Sequence, residues 1–434
     1  MSPAFRIKPP LKGKGNMKNA AIRKTAAGLV LAMIPALGHA ETCTLDQVPA
    51  ATLLLPYFEL DLGKYAQDDT ILSINNATAE PALVHVTFWT NWAQPTISFD
   101  FYLTGFDVQT MSLREAFKFG NLPLTADQQS DPSDSVSPAG DPAWDGSFPG
   151  CQNFFPYFTN PLIMGPNIER LRNGHTGKPI ANLGNNCLGA NLGDNIARGY
   201  ITFDSSQRCS TDFPSSAGYF GSGPTAVAND RNTLWGDYLR VRPLLGDFDP
   251  QPLVHVEANA DLETATGYTF YGLLPSAQPG GLDHREPLGS VWGVPTIDRP
   301  ALKTDLIVWR DPTSAPNAAF TGLACGVGPD WAPLPQNEVL CFDQEENFEE
   351  VCSGDDCFPL ATQRVATGGS GIATPFDFGW CRLDLGLSGE GTVSADTDFP
   401  GDVAQSYVAG ELRHGGQRTS GLGAVMLRSA CNLP

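Results

Sequence analysis

The distribution of cysteine limits the possible folds of this chain most. All ten cysteines lie beyond residue 42: Cys43, Cys151, Cys187, Cys209, Cys325, Cys341, Cys352, Cys357, Cys381 and Cys431. An even set of this kind reads as up to five disulfides in an oxidising compartment. No C-x-x-C and no C-x-x-C-H occurs, so a redox dithiol, a zinc ribbon and c-type haem all lack their usual signal. Each bridge contributes typically about 2–4 kcal/mol and can order loops that a hydrophobic core does not reach. Four turn formers, Ser353-Gly354-Asp355-Asp356, separate Cys352 from Cys357, and this spacing predicts a bond between them. Cys325 and Cys341 are the alternative partners. Cys43 and Cys431 stand near the two ends of the chain and are expected to pair if the last strands complete the first sheet; Cys381 is the competitor for Cys431.

The segment ahead of the cysteines has its own chemistry. Residues 1–40 carry Arg6, Lys8, Lys12, Lys14, Lys18, Arg23 and Lys24 and no acidic residue. An apolar run, residues 26–34, follows, then Pro35 and the small residues Gly38 and Ala40. This is the pattern of a secretory signal peptide over 1–40, too short for a membrane span of about 20 residues. A mature chain starting at Glu41 is expected to be secreted: periplasmic, cell-surface or extracellular. The whole chain has 47 acidic against 27 basic residues, a net charge of −20, and loss of the leader makes it more negative. Such a surface repels nucleic acid and anionic lipid, so neither is an expected partner. No later stretch is apolar enough for a membrane-spanning helix.

Period-two patterning then sets the fold class. In residues 97–104, Ile97, Phe99, Phe101 and Leu103 share one face, and Ser98, Asp100, Tyr102 and Thr104 the other. That reads as a half-buried antiparallel strand. Residues 71–74, 83–89 and 108–113 behave similarly, and strands at this spacing indicate a sandwich. The expectation is an all-β protein: an antiparallel β-sandwich, Ig-like, in one or two copies, with long disulfide-stapled insertions. Its parts are a first sandwich region (41–124), an irregular stapled insertion (125–230) holding a short helix near 168–172 and a strand at 200–203, and a second β-rich region (231–434). Residues 378–434 are expected to return and complete the first sandwich, as a Greek key permits. The echo of Leu83-Val84-His85-Val86 in Leu253-Val254-His255-Val256 is compatible with a duplicated sandwich.

Few motifs carry chemistry. The nucleophile elbow, H-E-x-x-H, the P-loop and the dinucleotide fingerprint are all missing. Asp396, Asp398 and Asp402 alternate around Gly401, a carboxylate arrangement suited to Ca²⁺, although Pro400 and the lack of a distal Glu depart from an EF-hand. Calcium is the one cofactor the sequence suggests. His85, His255 and Glu257 would form an imidazole-rich metal site if their strands were neighbours. Trp89 and Trp92 are candidates for a sugar-stacking platform, with core packing the commoner fate of such residues.

Several runs resemble a family of exported bacterial proteins of uncharacterised function: Ala51-Thr52-Leu53-Leu54-Leu55-Pro56-Tyr57-Phe58-Glu59, Leu72-Ser73-Ile74-Asn75-Asn76, Tyr102-Leu103-Thr104-Gly105-Phe106-Asp107-Val108-Gln109 and Asp305-Leu306-Ile307-Val308-Trp309-Arg310-Asp311. The resemblance spans most of the chain and implies a single architecture; it carries no active site. The expected function is non-enzymatic, a binding or structural protein at the cell surface or outside the cell, acting on an extracellular ligand or through self-association. A secreted hydrolase of polysaccharide or polyester is the alternative.

Overall fold

The computed structural model describes residues 45, 47–63, 66–123, 148–151, 163–221, 223–259, 269–274, 283–312, 322–353, 357–368, 372, 374, 376–386, 405–414 and 417–428. The leader, the Asp396/Asp398/Asp402 run, and Cys43 and Cys431 lie outside the described residues. The first half of the chain supplies β1 (Thr52–Asp61), β2 (Asp69–Asn76), β3 (Ala82–Thr90), β4 (Pro95–Leu103) and β5 (Val108–Ser112). A π-helical turn (Glu115–Phe119) and helix α1 (Pro166–Thr176) follow, then β6 (Ile196–Ser206), β7 (Leu234–Arg242), β8 (Asp247–Pro252) and β9 (Val254–Val256). These strands form two antiparallel sheets, β4-β3-β6-β1-β9 and β5-β2-β7-β8. Leu53, Val84, Val86, Phe88, Phe99 and Phe203 of the first meet Leu72, Ile74, Met111 and Tyr238 of the second in one continuous core.

The remaining strands are β10 (Val291–Ile297), β11 (Leu302–Arg310), β12 (Glu338–Phe342), β13 (Phe348–Ser353), β14 (Thr362–Ala366), β15 (Phe378–Asp384), β16 (Ser406–His414), β17 (Gln417–Leu422) and β18 (Val425–Arg428). They build two further antiparallel sheets, β13-β12-β15-β10-β18 and β14-β11-β16-β17. Trp292, Val294, Val339 and Leu383 face Leu306, Val308 and Val408 across the second core. The protein is thus nearly all β, four antiparallel sheets packed in two sandwich-like pairs. Residues 41–434 form one compact unit. A third apolar layer joins the pairs: Leu54, Trp89, Tyr200, Val254 and Val256 pack with Tyr219, Phe220, Phe270, Tyr271, Trp309 and Trp331.

Three organisational expectations need correction. The last strands do not complete the first sheet, because β15 to β18 pair with β10, β11, β12 and one another. Nor is 125–230 only an insertion: β6 is the middle strand of the first five-stranded sheet, hydrogen-bonded to both β1 and β3. The Leu-Val-His-Val echo is no mark of a repeated sandwich here, since its two copies lie in one sheet, in β3 and around β9.

That sheet is covered on both sides, so β3 is buried at all nine positions. The polar positions of its alternation are therefore an interior layer and not a wet face. One register row carries Asp100, His85, Asp204 and Thr52 across β4, β3, β6 and β1. Among the described residues four disulfides staple the covering loops and the second pair of sheets: Cys151–Cys209, Cys187–Cys325, Cys341–Cys381 and Cys352–Cys357. Cys352 and Cys357 are bonded with Cα atoms 6.2 Å apart. Cys381, being bound to Cys341, is no partner for Cys431.

Candidate functional site

The histidines marked by the sequence do not converge. His85 pairs in register with Asp204 and Thr52, whereas His255 pairs with Leu53, the next residue along β1. Adjacent residues of a strand point to opposite faces, so His85 and His255 lie on opposite sides of the sheet, with β6 and β1 between their strands. His255 Nδ1 meets the Val48 carbonyl oxygen at 2.6 Å. Glu257 lines the same recess as His255, but that recess encloses only about 10 Å³. Among the described residues no group of three His, Cys, Asp or Glu side chains could hold a metal ion.

His85 is instead a buried structural residue. Its Nδ1 lies 2.8 Å from Asp100 Oδ1 and its Nε2 2.9 Å from the Asp212 carbonyl oxygen. Burial works against the charged form, but the Asp100 carboxylate, with help from Asp204, carries the His85 pKa above its ordinary value. Both ring nitrogens are thus held by protein oxygens, so neither is free to face a ligand.

Trp89 and Trp92 are buried, so they form no sugar platform. Trp89 stacks on Tyr200 at 5.7 Å and Phe270 on Trp309 at 5.5 Å, around a cavity that also touches Asp311. The cavity encloses about 30 Å³. One water needs roughly 10–15 Å³ by this measure, so the space suits water and not a ligand. Trp380, which is exposed, lies against Phe342 at 4.8 Å with an interplanar angle of 16°. Its stacking partner is thus another side chain.

Among the described residues, space and charge coincide beside the first pair of sheets. A cleft of about 400 Å³ opens between the π-helical turn and α1, lined by Leu62, Gly63, Arg114, Phe117, Lys118, Phe119, Arg172, Asn173, Thr176, Lys178 and Asn195. That is within the roughly 300–1,000 Å³ range of small-ligand sites. The elements that frame it are firmly seated. Phe117 on the turn and Leu171 on α1 are both buried in the first core. Gly120 ends the turn at φ +78°, where a Cβ would sit 2.5 Å from the Ile163 carbonyl oxygen. Pro166 opens α1, and Gly177 closes it in the left-handed region at φ +65°.

Among the described residues four basic and no acidic side chains line this cleft. Lys118 Nζ donates to the Gly63 and Ala66 carbonyl oxygens at 2.8 and 2.6 Å. Arg172 donates to the Phe117 and Lys118 carbonyl oxygens, both at 2.6 Å. Lys178 donates to the Asn195 side-chain oxygen. Among the described residues Lys118, Arg172 and Lys178 have no ion pair with a carboxylate, and Arg114 reaches Glu115 only at 3.9 Å. Elsewhere the cations are commonly neutralised, as Arg198 is by Asp194, Arg364 by Glu59 and Arg382 by Glu338. Desolvation and the nearby Arg114 charge depress the Lys118 pKa, against the pull of Asp61 and Asp68. An anion in the cleft would offset both effects by stabilising the charged ammonium.

No family model, curated protein or solved structure matches this chain. The cleft is accordingly read from its own chemistry. The sequence reading missed it, because its cations are scattered over residues 114–178 and converge only through the fold.

Behind the cleft, α1 holds a second contrast with His85. His175 is packed against the rings of Phe58, Phe88 and Phe117 at 5.4, 6.3 and 5.2 Å. Its Nδ1 donates to the Arg198 carbonyl oxygen and its Nε2 meets Thr96 Oγ1, each at 2.9 Å. Burial lowers its pKa from 6.5 to about 4. The folded state thus holds His175 neutral while the unfolded chain takes up a proton as pH falls below 6.5. Stability from this residue is complete above 6.5 and is lost progressively toward pH 4, by about 2 kcal/mol at pH 4.5. His175→Gln keeps a donor and removes the titration. Urea unfolding of both proteins at pH 7 and pH 4.5 should show the wild type losing about 2 kcal/mol more than the variant; parallel losses would place the acid sensitivity elsewhere.

Proposed function

We propose that this chain is an exported, non-enzymatic binding protein whose basic cleft takes a ligand bearing carboxylate or phosphate groups. One observation carries the reading: among the described residues four cations and no acidic side chain line a ligand-sized cleft, in a chain whose acidic residues outnumber its basic ones by 47 to 27. Export is supported by the basic and apolar leader and by the four disulfides among the described residues. No helix among the described residues is long and apolar enough to cross a membrane.

In the cleft, Lys118 and Lys178 would supply ammonium charge and Arg114 and Arg172 guanidinium donors. Phe119 gives the rim an apolar surface, being 53% exposed. Hydrogen bonds to charged groups contribute roughly 1.5–3 kcal/mol each, so loss of one cation should weaken binding about tenfold or more. Titration calorimetry with inorganic phosphate and with citrate tests this. Binding should weaken as salt rises and fall about tenfold or more in Lys118→Gln/Lys178→Gln. Equal heats for wild type and variant, at matched ionic strength, would remove the cleft from consideration.

A further inference from the structure

The second pair of sheets carries the chemical complement of this cleft. Strands β12 and β13 form a hairpin whose tip and return strand read Asp343-Gln344-Glu345-Glu346-Asn347-Phe348-Glu349-Glu350. Five of these eight residues are acidic and none is basic. Residues 344–350 are all exposed, and Phe348 is 67% exposed. β13 is also the edge strand of its sheet, so nothing in that sheet covers its outer side.

The hairpin is rigidly built. The Asp343 carboxylate accepts the backbone N–H groups of Glu345 and Asn347 at 2.8 and 2.9 Å, and the Asn347 side-chain amide at 2.7 Å. The Asp343 backbone N–H donates to the Asn347 carbonyl oxygen at 3.1 Å. Asp343 is thus used up in shaping the turn. Glu345, Glu346, Glu349 and Glu350 are presented outward around Phe348. A preformed tongue loses little conformational entropy on docking.

We propose that the acidic β12–β13 tongue of one copy of this chain docks in the basic cleft of a second copy, with Phe348 against the exposed Phe119. The proposal rests on the reading of the cleft as an anion site and names its occupant. Charge complementarity selects a second copy: a strongly acidic protein repels other copies of itself at most points of contact, and the cleft offers four cations to this tongue. Cleft and tongue are different surfaces, so the contact is head-to-tail and leaves one of each free for further copies. Assembly then proceeds into chains or rings and is weakened by salt.

Sedimentation velocity on the oxidised, full-length mature protein tests this. Wild type should form species larger than a monomer as concentration rises at low salt and revert to monomer at high salt. The tongue variant Glu345→Gln/Glu346→Gln/Glu349→Gln/Glu350→Gln should be monomeric, and so should the cleft variant Lys118→Gln/Lys178→Gln. An equimolar mixture of the two retains one intact cleft and one intact tongue. It should give a one-to-one dimer that grows no further. A wild type that stays monomeric at all concentrations, or a tongue variant that still assembles, overturns the proposal. Phosphate calorimetry on the tongue variant separates the two ideas. Retained phosphate binding without wild-type assembly leaves the cleft reading standing and removes only the second copy. Loss of both removes both.

Discussion

Arg285→Met is expected to lose about 3–5 kcal/mol of folding stability, the usual cost of removing one member of a buried ion pair. Arg285 is fully buried, as are Asp204 and Asp283. Its guanidinium lies 3.1 Å from Asp283 and 3.6 Å from Asp204, and it donates to the Asn229 carbonyl oxygen at 3.0 Å. Its Cζ lies over the rings of Phe220 and Tyr271, 5.5 and 5.9 Å from their centroids. Asp204 in turn accepts from the hydroxyls of Tyr219 and Tyr271 at 2.6 and 3.0 Å, and from Thr52. Methionine would fill the volume and leave the Asp204 and Asp283 carboxylates in a dry layer without their arginine. Burial already pushes the Asp283 pKa up, and Arg285 pulls it back down. Without the arginine, Asp283 should hold a proton at higher pH, so the deficit of the variant should shrink on acidification through the carboxylate range. Urea unfolding at pH 7 and pH 5 measures both effects. The triple variant Arg285→Met/Asp204→Asn/Asp283→Asn should recover part of the loss, because neither of the carboxylates that faced the arginine is left to be charged. A cost below about 1 kcal/mol for Arg285→Met would mean that water, and not the arginine, stabilises these carboxylates.

This polar layer also shows where the sequence stops being legible. Alternation located β3 and β4 and named their apolar faces correctly: Val84, Val86, Phe99 and Phe101 all lie in the first core. It misread the other face. His85, Asp100 and Tyr102 look like solvent-facing residues in a one-dimensional pattern, yet each is essentially fully buried. The difference lies in the loops and the second pair of sheets, which cover that face from positions remote in sequence. A partner such as Arg285, 200 residues from His85, leaves no local trace. The same holds for the strand order. The central place of β6 was hidden because its pairing with β1 and β3 is set by the folded register and not by composition. The basic cleft was hidden for the same reason. The Cys352–Cys357 bond was legible because its geometry is local: five residues and a turn suffice to define it.

The second large effect concerns the most distant of the described staples. Cys187 and Cys325 are 138 residues apart in sequence. Cys187 follows α1 at the edge of the first pair of sheets, and Cys325 lies between β11 and β12 of the second pair. Cutting this bond should cost about 5 kcal/mol in the chain-entropy treatment, more than a short loop such as Cys352–Cys357. Two native backbone hydrogen bonds between Cys187 and Leu323, at 2.8 and 2.9 Å, survive the cut and hold the loop in place once folded. The loss should therefore appear as a lower unfolding midpoint of Cys187→Ala/Cys325→Ala and not as a changed fold. Access makes a second expectation. Cys325 is exposed, whereas Cys151, Cys209, Cys341 and Cys381 are all buried. Thiolate attack needs access to a sulfur. Mild reductant under native conditions should thus open Cys187–Cys325 ahead of Cys151–Cys209 and Cys341–Cys381. Alkylation followed by peptide mapping reads the order directly. If a buried bridge opens first, the native protein breathes at that bridge more readily than its packing indicates. If the double alanine variant unfolds at the wild-type midpoint, the two pairs of sheets are joined by the apolar layer of Trp89, Tyr200 and Trp309, and the sulfur bridge adds nothing measurable.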